Sequence, residues 1–401
     1  MATEWTTARI VDVADKVAIG PFGSSIKVET FVAEGIPVIS GQHLHGTRLA
    51  DTEYNFVTVE HAEKLKNANV FRGDVIFTHA GSIGQAAYIP QTSRYDRYVI
   101  SQRQFYMRCD RSKVIPEFVA YFFRTPEGQH KLLANVSSVG VPSIAQPVTY
   151  LRTIEIPVPP VFEQRAIVGV LGVLDDKIEL NQRMNETLEA LTQAEFGRMK
   201  DEGGGMKTVP LPEAIEVNPS RPLRKGEVAP YLDMANMPKR SARALEVYDR
   251  EFGSGMRFMD GDTLVARITP CLENGKTCFV DFLGDGKVGW GSTEYIVLRP
   301  KPPLPPEYAY FLARTEDFRN FAVSNMTGTS GRQRVPADCF KHFQVEVPPA
   351  KLAERFGQFA RSVFAKMKAN DEESRTLAAL RDALLPKLLS GAVRVKNERT
   401  V

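Results

Sequence analysis

Cysteine is scarce in this chain. Cys109, Cys271, Cys278 and Cys339 are the four among 401 residues, with no Cys-x-x-Cys spacing and no histidine pair nearby. That pattern excludes a disulfide scaffold and a zinc ribbon; it reads as reduced thiols in a cytoplasmic protein, with no metal and no cofactor expected. No apolar run approaches the roughly 20 residues that span a bilayer, so no membrane association is expected. The opening Met1-Ala2-Thr3-Glu4-Trp5 has neither a basic stretch nor an apolar one, which argues against secretion. Excess charge is also missing: the net charge of +3 excludes a histone-like polycation. What remains is an apolar fraction of 43% and a charged fraction of 25%, the mix of a globular protein, in a chain too long for one ordinary core.

Signatures of catalysis are equally thin. An adenine methyltransferase needs a glycine-rich cofactor loop and an Asn/Asp-Pro-Pro-aromatic motif to receive a flipped base. The nearest approach, Asn218-Pro219-Ser220-Arg221, lacks the second proline and the aromatic. Gly275-Lys276-Thr277 mimics the tail of a phosphate-binding loop, but Pro270 replaces its first glycine and removes a backbone N–H that would cradle phosphate. The following Cys278-Phe279-Val280-Asp281-Phe282 reads as a strand where that motif requires a helix. His79 and His130 have no nucleophile at a recognisable spacing. Asp175-Asp176-Lys177 falls mid-helix, where neighbouring side chains point apart. Catalysis within this chain is not expected.

The chain does repeat itself, at an offset near 190 residues. Phe71-Arg72-Gly73-Asp74-Val75-Ile76-Phe77 matches Met259-Asp260-Gly261-Asp262-Thr263-Leu264-Val265, each a Gly-Asp turn entering a buried strand. Pro116-Glu117-Phe118 through Arg124-Thr125 matches Pro306-Glu307-Tyr308 through Arg314-Thr315, each opening an amphipathic helix with proline and glutamate. Ile156-Pro157-Val158-Pro159-Pro160 matches Val345-Glu346-Val347-Pro348-Pro349, a strand with a proline stop. Basic runs recur as well: six cationic residues between Arg94 and Lys113, and six between Arg221 and Arg243.

After each Pro-Pro comes a long helical pattern. Ile167, Leu171, Leu174, Ile178, Asn181, Leu188 and Leu191 recur at three- and four-residue steps. Leu352, Phe356, Phe359, Val363, Met367, Asn370, Leu377, Leu380, Leu384 and Leu388 do the same. This is the narrow stripe of a coiled-coil seam. Asn181 and Asn370 hold equivalent polar positions, which fix register and predict that the two helices pair with each other. The first helix, from Glu163 to about Arg198, spans on the order of 54 Å, and Gly203-Gly204-Gly205 should end it as a hinge. Pro386 should end or kink the second after Leu385.

The central segment Glu163-Gln164-Arg165-Ala166-Ile167-Val168 through Leu174-Asp175-Asp176-Lys177-Ile178-Glu179-Leu180-Asn181, continued by Asn185-Glu186-Thr187-Leu188-Glu189-Ala190-Leu191, resembles the conserved helix of type I restriction-modification specificity subunits. Gly261-Asp262-Thr263-Leu264 with Ala266-Arg267-Ile268-Thr269-Pro270-Cys271-Leu272-Glu273-Asn274-Gly275-Lys276 resembles a common form of their second recognition domain. The distal helix departs from the pattern, with Ala353-Glu354-Arg355 where Glu163-Gln164-Arg165 stood. The resemblance implies a mixed α/β (α+β) fold: two α/β target-recognition domains separated by two long antiparallel coiled-coil helices in a pseudo-two-fold repeat. The expected bounds are 1–160 and 203–349 for the domains, 161–202 and 350–393 for the helices. It further implies a bipartite site on double-stranded DNA, read without catalysis. The helices, carrying Arg165, Asp175, Lys177, Asn181 and Asn370, would dock two adenine methyltransferase subunits, joined by restriction and translocase subunits.

Base reading needs Arg or Lys for guanine, Asn or Gln for adenine, and Ser or Thr for either, held on loops. The first half offers Ser24 and Lys27; Gln42, His43 and His45; Thr78, His79, Ser82 and Gln85; and Arg103. The second offers Lys225, Asn236, Arg267, Thr269 and Lys276, with Arg332, Gln333 and Arg334 in the glycine-marked run from Ser330 as its foremost candidates. Other basic residues between Arg94 and Lys113 are expected on phosphates. The competing functions are a stand-alone two-headed DNA-binding regulator, which would carry a helix-turn-helix or form a symmetric dimer, and a scaffold without nucleic acid, which leaves the polar glycine loops unexplained.

Overall fold

A computed structural model describes residues 5–21, 23–137, 140–202, 204–329 and 331–395; the side chains of Ser24 and Glu202 also lie outside that description. The chain divides into two compact units, Met1–Lys177 with Thr376–Val401, and Ile178–Arg375.

In the first unit the strands are β1 (Thr6–Arg9), β2 (Ala14–Ile19), β3 (Ile36–Ile39), β4 (Asn55–Val57), β5 (Asn69–Phe71), β6 (Asp74–Thr78), β7 (Ala86–Tyr88), β8 (Arg97–Ile100), β9 (Gln104–Cys109), β10 (Val136–Ser137), β11 (Ser143–Ile144) and β12 (Glu155–Val158). Helices α1 (Ile10–Val13), α2 (Val59–Lys64), α3 (Pro116–Phe122), α4 (Pro126–Leu133) and α5 (Pro147–Thr153) pack around them. Two four-stranded sheets form, in the orders β2-β9-β6-β7 and β4-β3-β8-β5, and β1 pairs with β12. Strand β6 is buried along its length, which is why Asp74-Val75-Ile76-Phe77-Thr78 reads as an apolar run rather than an alternating one.

The long helix α6 (Val161–Glu202) leads into the second unit. There the strands are β13 (Lys207–Pro210), β14 (Ile215–Val217), β15 (Val228–Leu232), β16 (Tyr248–Glu251), β17 (Met256–Phe258), β18 (Thr263–Ala266), β19 (Thr277–Phe279), β20 (Gly289–Gly291), β21 (Tyr295–Pro300) and β22 (Gln344–Val347). Helices α7 (Leu211–Ala214), α8 (Tyr308–Ala313), α9 (Glu316–Ser324) and the long α10 (Ala350–Leu389) complete it. The sheet orders β14-β21-β18-β19 and β16-β15-β20-β17, with β13 on β22, reproduce the two four-stranded sheets and the β1-β12 pair of the first unit. The duplication read from the sequence is therefore a duplication of topology.

The Gly-Asp turns show why those two residues recur. Gly73 at φ 90° and Gly261 at φ 87° adopt a left-handed backbone that a side chain would strain. The next residue closes the turn: Asp74 accepts from the Phe71 amide and Asp262 from the Met259 amide, each at 2.8 Å. Both carboxylates are buried and ion-paired, Asp74 to Arg108 and Asp262 to Arg221 and Arg299.

Each unit takes part of both long helices. In the first, Ile167 and Leu171 of α6 share a core with Leu385, Leu388 and Leu389 of α10, and Asp175 accepts from Arg381 at 2.7 Å. In the second, Phe196 and Met199 meet Phe356, Val363 and Met367. Asn181 bonds to the Asn370 carbonyl and Asn185 to that of Met367, so residue numbers rise along one helix as they fall along the other. The helices pair, as the asparagines predicted, and run antiparallel, as the resemblance implied.

Three details differ from expectation. Helix α6 runs 42 residues, past Arg198 to Glu202; Gly203 lies outside the described residues. Pro386 does not end α10, which continues to Leu389. Only one turn follows that proline, and buried Leu385, Leu388 and Leu389 hold it against the core, offsetting one lost hydrogen bond. Leu191 and Leu380, assigned to the seam, are exposed, because the apolar stripes turn toward each unit's domain as well as toward the other helix.

Candidate nucleic-acid interface

Sheet register decides which loops meet. Strands β3 and β8 are parallel, with Ile39 beside Ile100, so the turns after both leave the sheet at one end. Strands β6 and β9 are antiparallel, placing Thr78 opposite Gln104 and bringing the loop after β6 to the same end. Together they enclose a cleft of about 330 Å³ whose lining includes Gln42, His43, Thr78, Ser82 and Arg103. Five residues picked from three separated loops thus converge.

Their roles differ. Gln42, Ser82 and Arg103 are exposed, and Arg103 lies over Gly81, where any side chain would crowd it. His43 faces inward: it is 1% exposed and stacked on Tyr54 with ring centroids 4.4 Å apart. Its Nδ1 accepts from the Ser40 amide at 2.9 Å, and its Nε2 reaches the Glu53 carbonyl at 3.1 Å. Thr78 is also buried and donates to Gln85 Oε1 at 3.0 Å. His79 contacts the Gln102 carbonyl through Nε2 at 3.1 Å. Burial pushes the pKa of both His43 and His79 down, so both rings are neutral near pH 7. Lys27 and His45 are exposed on flanking loops, and the Ser24 side chain lies outside the described residues.

The second unit presents the same loop ends with other chemistry. The His79 amide bonds to the Arg103 carbonyl at 2.9 Å, and the Arg267 amide to that of Glu294 at the same distance. Glu294 therefore stands where the first unit has Arg103, and its carboxylate receives Arg334 at 2.8 and 3.0 Å. Arg332 is exposed and Gln333 half-buried beside it, while Ser330 lies outside the described residues. The Thr269 amide bonds to the Gln333 carbonyl at 3.0 Å. Lys276 is turned inward onto the Met234 carbonyl, Asn236 binds Asp233, and Lys225 is exposed on a separate turn. Gly275-Lys276-Thr277 runs into strand β19, not a helix.

Sequence reading missed one loop. The Ile144 amide bonds to the His79 carbonyl and the Val335 amide to that of Arg267, so Ser143 stands where the second unit has Arg334, with Val141 and Pro142 just before it. Val141 and Pro142 are apolar, so Ser143 carries no basic or amide residue beside it of the kind that marks the Arg332–Arg334 run. The basic run from Arg94 to Lys113 is largely engaged within the fold: Arg97 binds Asn69, Arg108 binds Asp74, Arg111 the Arg72 carbonyl and Lys113 the Asp12 carbonyl.

Residues 3–190 match the type I restriction modification DNA specificity domain. The type I restriction enzyme MjaIX specificity subunit of Methanocaldococcus jannaschii is 21% identical over 430 aligned positions, covering 98% of this chain and 94% of that one. Over its first 190 residues the chain is thus similar to type I restriction-modification specificity proteins. The EcoEI specificity subunit of Escherichia coli is 30% identical over 169 residues, covering 40% of this chain and only 28% of that protein. In fold, the chain is similar to the crystal structure of a type I restriction-modification system S subunit from M. genitalium, with a TM-score of 0.55 at 16% identity over 97% of this chain and 96% of that one.

Of the helix residues that the resemblance singles out, Arg165 is exposed on α6. Asp175 is engaged internally, accepting from Tyr121 at 2.5 Å as well as from Arg381. Asn181 and Asn370 are buried between the helices, and Lys177 is half-buried. Among the described residues no helix is long and apolar enough to cross a membrane.

Proposed function

We propose that this chain is the non-catalytic, DNA-reading subunit of a cytoplasmic type I restriction-modification assembly. Each unit's loop cluster reads one half of a bipartite site on double-stranded DNA, with an unread gap between the halves. Residues 1–160 and 203–349 serve as reading domains, and 161–202 and 350–393 as the helical frame that two adenine methyltransferase subunits grip, with restriction and translocase subunits joining them. The observation that carries this reading is the repeated pair of four-stranded sheets whose two loop ends differ in chemistry, Arg103 in one standing where Glu294 stands in the other. Equal scaffolds with unequal side chains suit two half-sites of unequal sequence. Exposed Lys27, Gln42, His45, Ser82 and Arg103 in the first unit, and exposed Lys225 and Arg332 with half-buried Gln333 in the second, are the proposed DNA contacts. His43, Thr78, Gln85, Lys276 and Arg334 shape the loops that carry them.

Long-read mapping of modified adenines, in cells expressing this chain with a type I adenine methyltransferase subunit, tests the reading. A bipartite motif with a fixed gap, lost when this chain is deleted, is the expected result. Methylation that persists unchanged without the chain refutes it.

A further inference from the structure

Two arginines occupy one structural position in the repeat. The Tyr88 amide bonds to the Thr47 carbonyl, and the Phe279 amide, at the matching place on β19, bonds to the Ala242 carbonyl. Arg48 and Arg243 are the residues that follow those two carbonyls. Each sits in the long loop that leaves the parallel strand of its unit, after β3 in one and β15 in the other. The same loops carry Gln42 and Asn236.

Both arginines reach a long helix within their own unit. Arg48 pairs through Nη1 with Asp176 of α6 and donates from Nε to Tyr88 Oη at 3.1 Å. Arg243, 7% exposed, pairs through Nε with Asp371 of α10 at 2.9 Å and through Nη1 with Asp281. The carboxylates are not equivalent in the helix repeat, since Asp176 lies 16 residues beyond Pro160 and Asp371 lies 22 beyond Pro349. The same tie is thus made twice with different partners. Half-exposed ion pairs add little to stability, and the side chain of Asp176 is 63% exposed, so folding alone does not account for the first of them.

We propose that Arg48–Asp176 and Arg243–Asp371 are positioning pairs that hold each reading loop at a fixed orientation on the helical frame, and so sharpen recognition of one half-site each. This rests on the DNA-reading function proposed above. A base-edge contact depends on placement of its loop to a fraction of an ångström, and a side-chain tie to a long helix fixes the loop in a second direction beyond its backbone bonds to β7 or β19.

The test is selection from fully randomised DNA duplexes by the complete chain assembled with its methyltransferase, followed by sequencing of the bound fraction. Asp176→Asn and Asp371→Asn keep size and acceptor while removing charge, and thermal melting confirms that each variant folds. Asp176→Asn is expected to relax discrimination in one half of the selected motif by on the order of tenfold, leaving the other half intact. Asp371→Asn should do the reverse, and Arg48→Asp with Asp176→Arg should restore the lost half. Motifs unchanged in the folded variants, or equal loss in both halves, would overturn the proposal. If the unaltered chain selects no two-part motif, the DNA-reading function itself fails, and the positioning role falls with it.

Discussion

Asn370 donates its side-chain amide to Asn185 Oδ1 at 2.8 Å, between two helices whose apolar residues otherwise face one another. Asn185 in turn donates to Asp371 at 2.8 Å, and Asn181 to Glu373 at 2.8 Å. The layer is therefore a network rather than one polar pair. Removing one partner strands a buried amide, which costs about 1–3 kcal/mol, whereas replacing two together removes the need for either bond. Asn185→Leu and Asn370→Leu should each destabilise the chain by about that amount. The double variant should cost less than the two combined, by a coupling of about 0.5–3 kcal/mol. Urea denaturation of the four proteins measures it; strict additivity would show that the two side chains act independently.

The paired Asp turns make a second, comparative prediction. Asp262 is fully buried and faces two arginines, Arg221 and Arg299. Asp74 is as buried but faces Arg108, whose side chain is 35% exposed. Removing the carboxylate strands two cations in one case and one partly solvated cation in the other. Asp262→Ala should cost about 3–5 kcal/mol, the usual figure for breaking a buried pair, and Asp74→Ala distinctly less. Both also lose an amide bond to the turn, so that contribution cancels in the comparison. Limited proteolysis with thermal melting ranks the two; an equal or inverted order would show that the extra arginine contributes nothing.

The architecture was legible in the sequence because it is written twice. Gly-Asp turns, Pro-Pro stops and helical stripes recur at one offset, and a local signal seen at two places is rarely accidental. Even the helix partners were legible, since Asn181 does meet the Asn370 carbonyl. Asn185 stands on the same stripe, four residues after Asn181 and three before Leu188, but it has no matching asparagine in the second helix to mark it, and only three-dimensional placement shows it against Asn370. The candidate site was legible as loops but not as side chains. His43 and Gln42 are neighbours in sequence, yet one is buried against Tyr54 and the other is exposed. Composition distinguishes residues able to bond a base, whereas the direction each takes depends on partners dozens of residues away. For the same reason Arg334 reads as a free cation in sequence and is neutralised by Glu294 in the fold.

Acid sensitivity follows from the buried histidine. Burial holds the His43 pKa below its ordinary 6.5, outweighing the opposing hydrogen bonds to Glu53 and Ser40 and the nearby charge of Asp51. The unfolded chain takes up this proton first as pH falls, so stability is complete above the unfolded pKa and is lost on acidification through the window beneath it. Melting temperature should be flat above about pH 7 and decline toward about pH 5. His43→Gln should lower the plateau and flatten that decline. A decline of undiminished slope in the variant would assign the sensitivity to other groups, His79 first among them.

Salt dependence separates residues that touch phosphate from those that read bases. Each phosphate contact releases counterions, so removing one exposed cation lowers the slope of log affinity against log salt by about 0.9. Arg103 and Lys27 in the first unit, and Lys225 and Arg332 in the second, are exposed cations on the proposed interface. Gln42 shares the cleft with Arg103 but carries no charge. Lys27→Ala and Lys225→Ala, on loops outside the cleft, should reduce the slope by about one and weaken binding to all sequences alike. Gln42→Ala should leave the slope unchanged and cost about 1–3 kcal/mol on the selected motif alone, erasing preference at one base pair. Arg103→Ala decides how that cleft works. A change in slope without a change in motif makes Arg103 a phosphate contact, whereas a motif relaxed at one position makes it a reader of guanine. Titrations over a range of salt, on the selected duplex and on one with a scrambled half, distinguish the two.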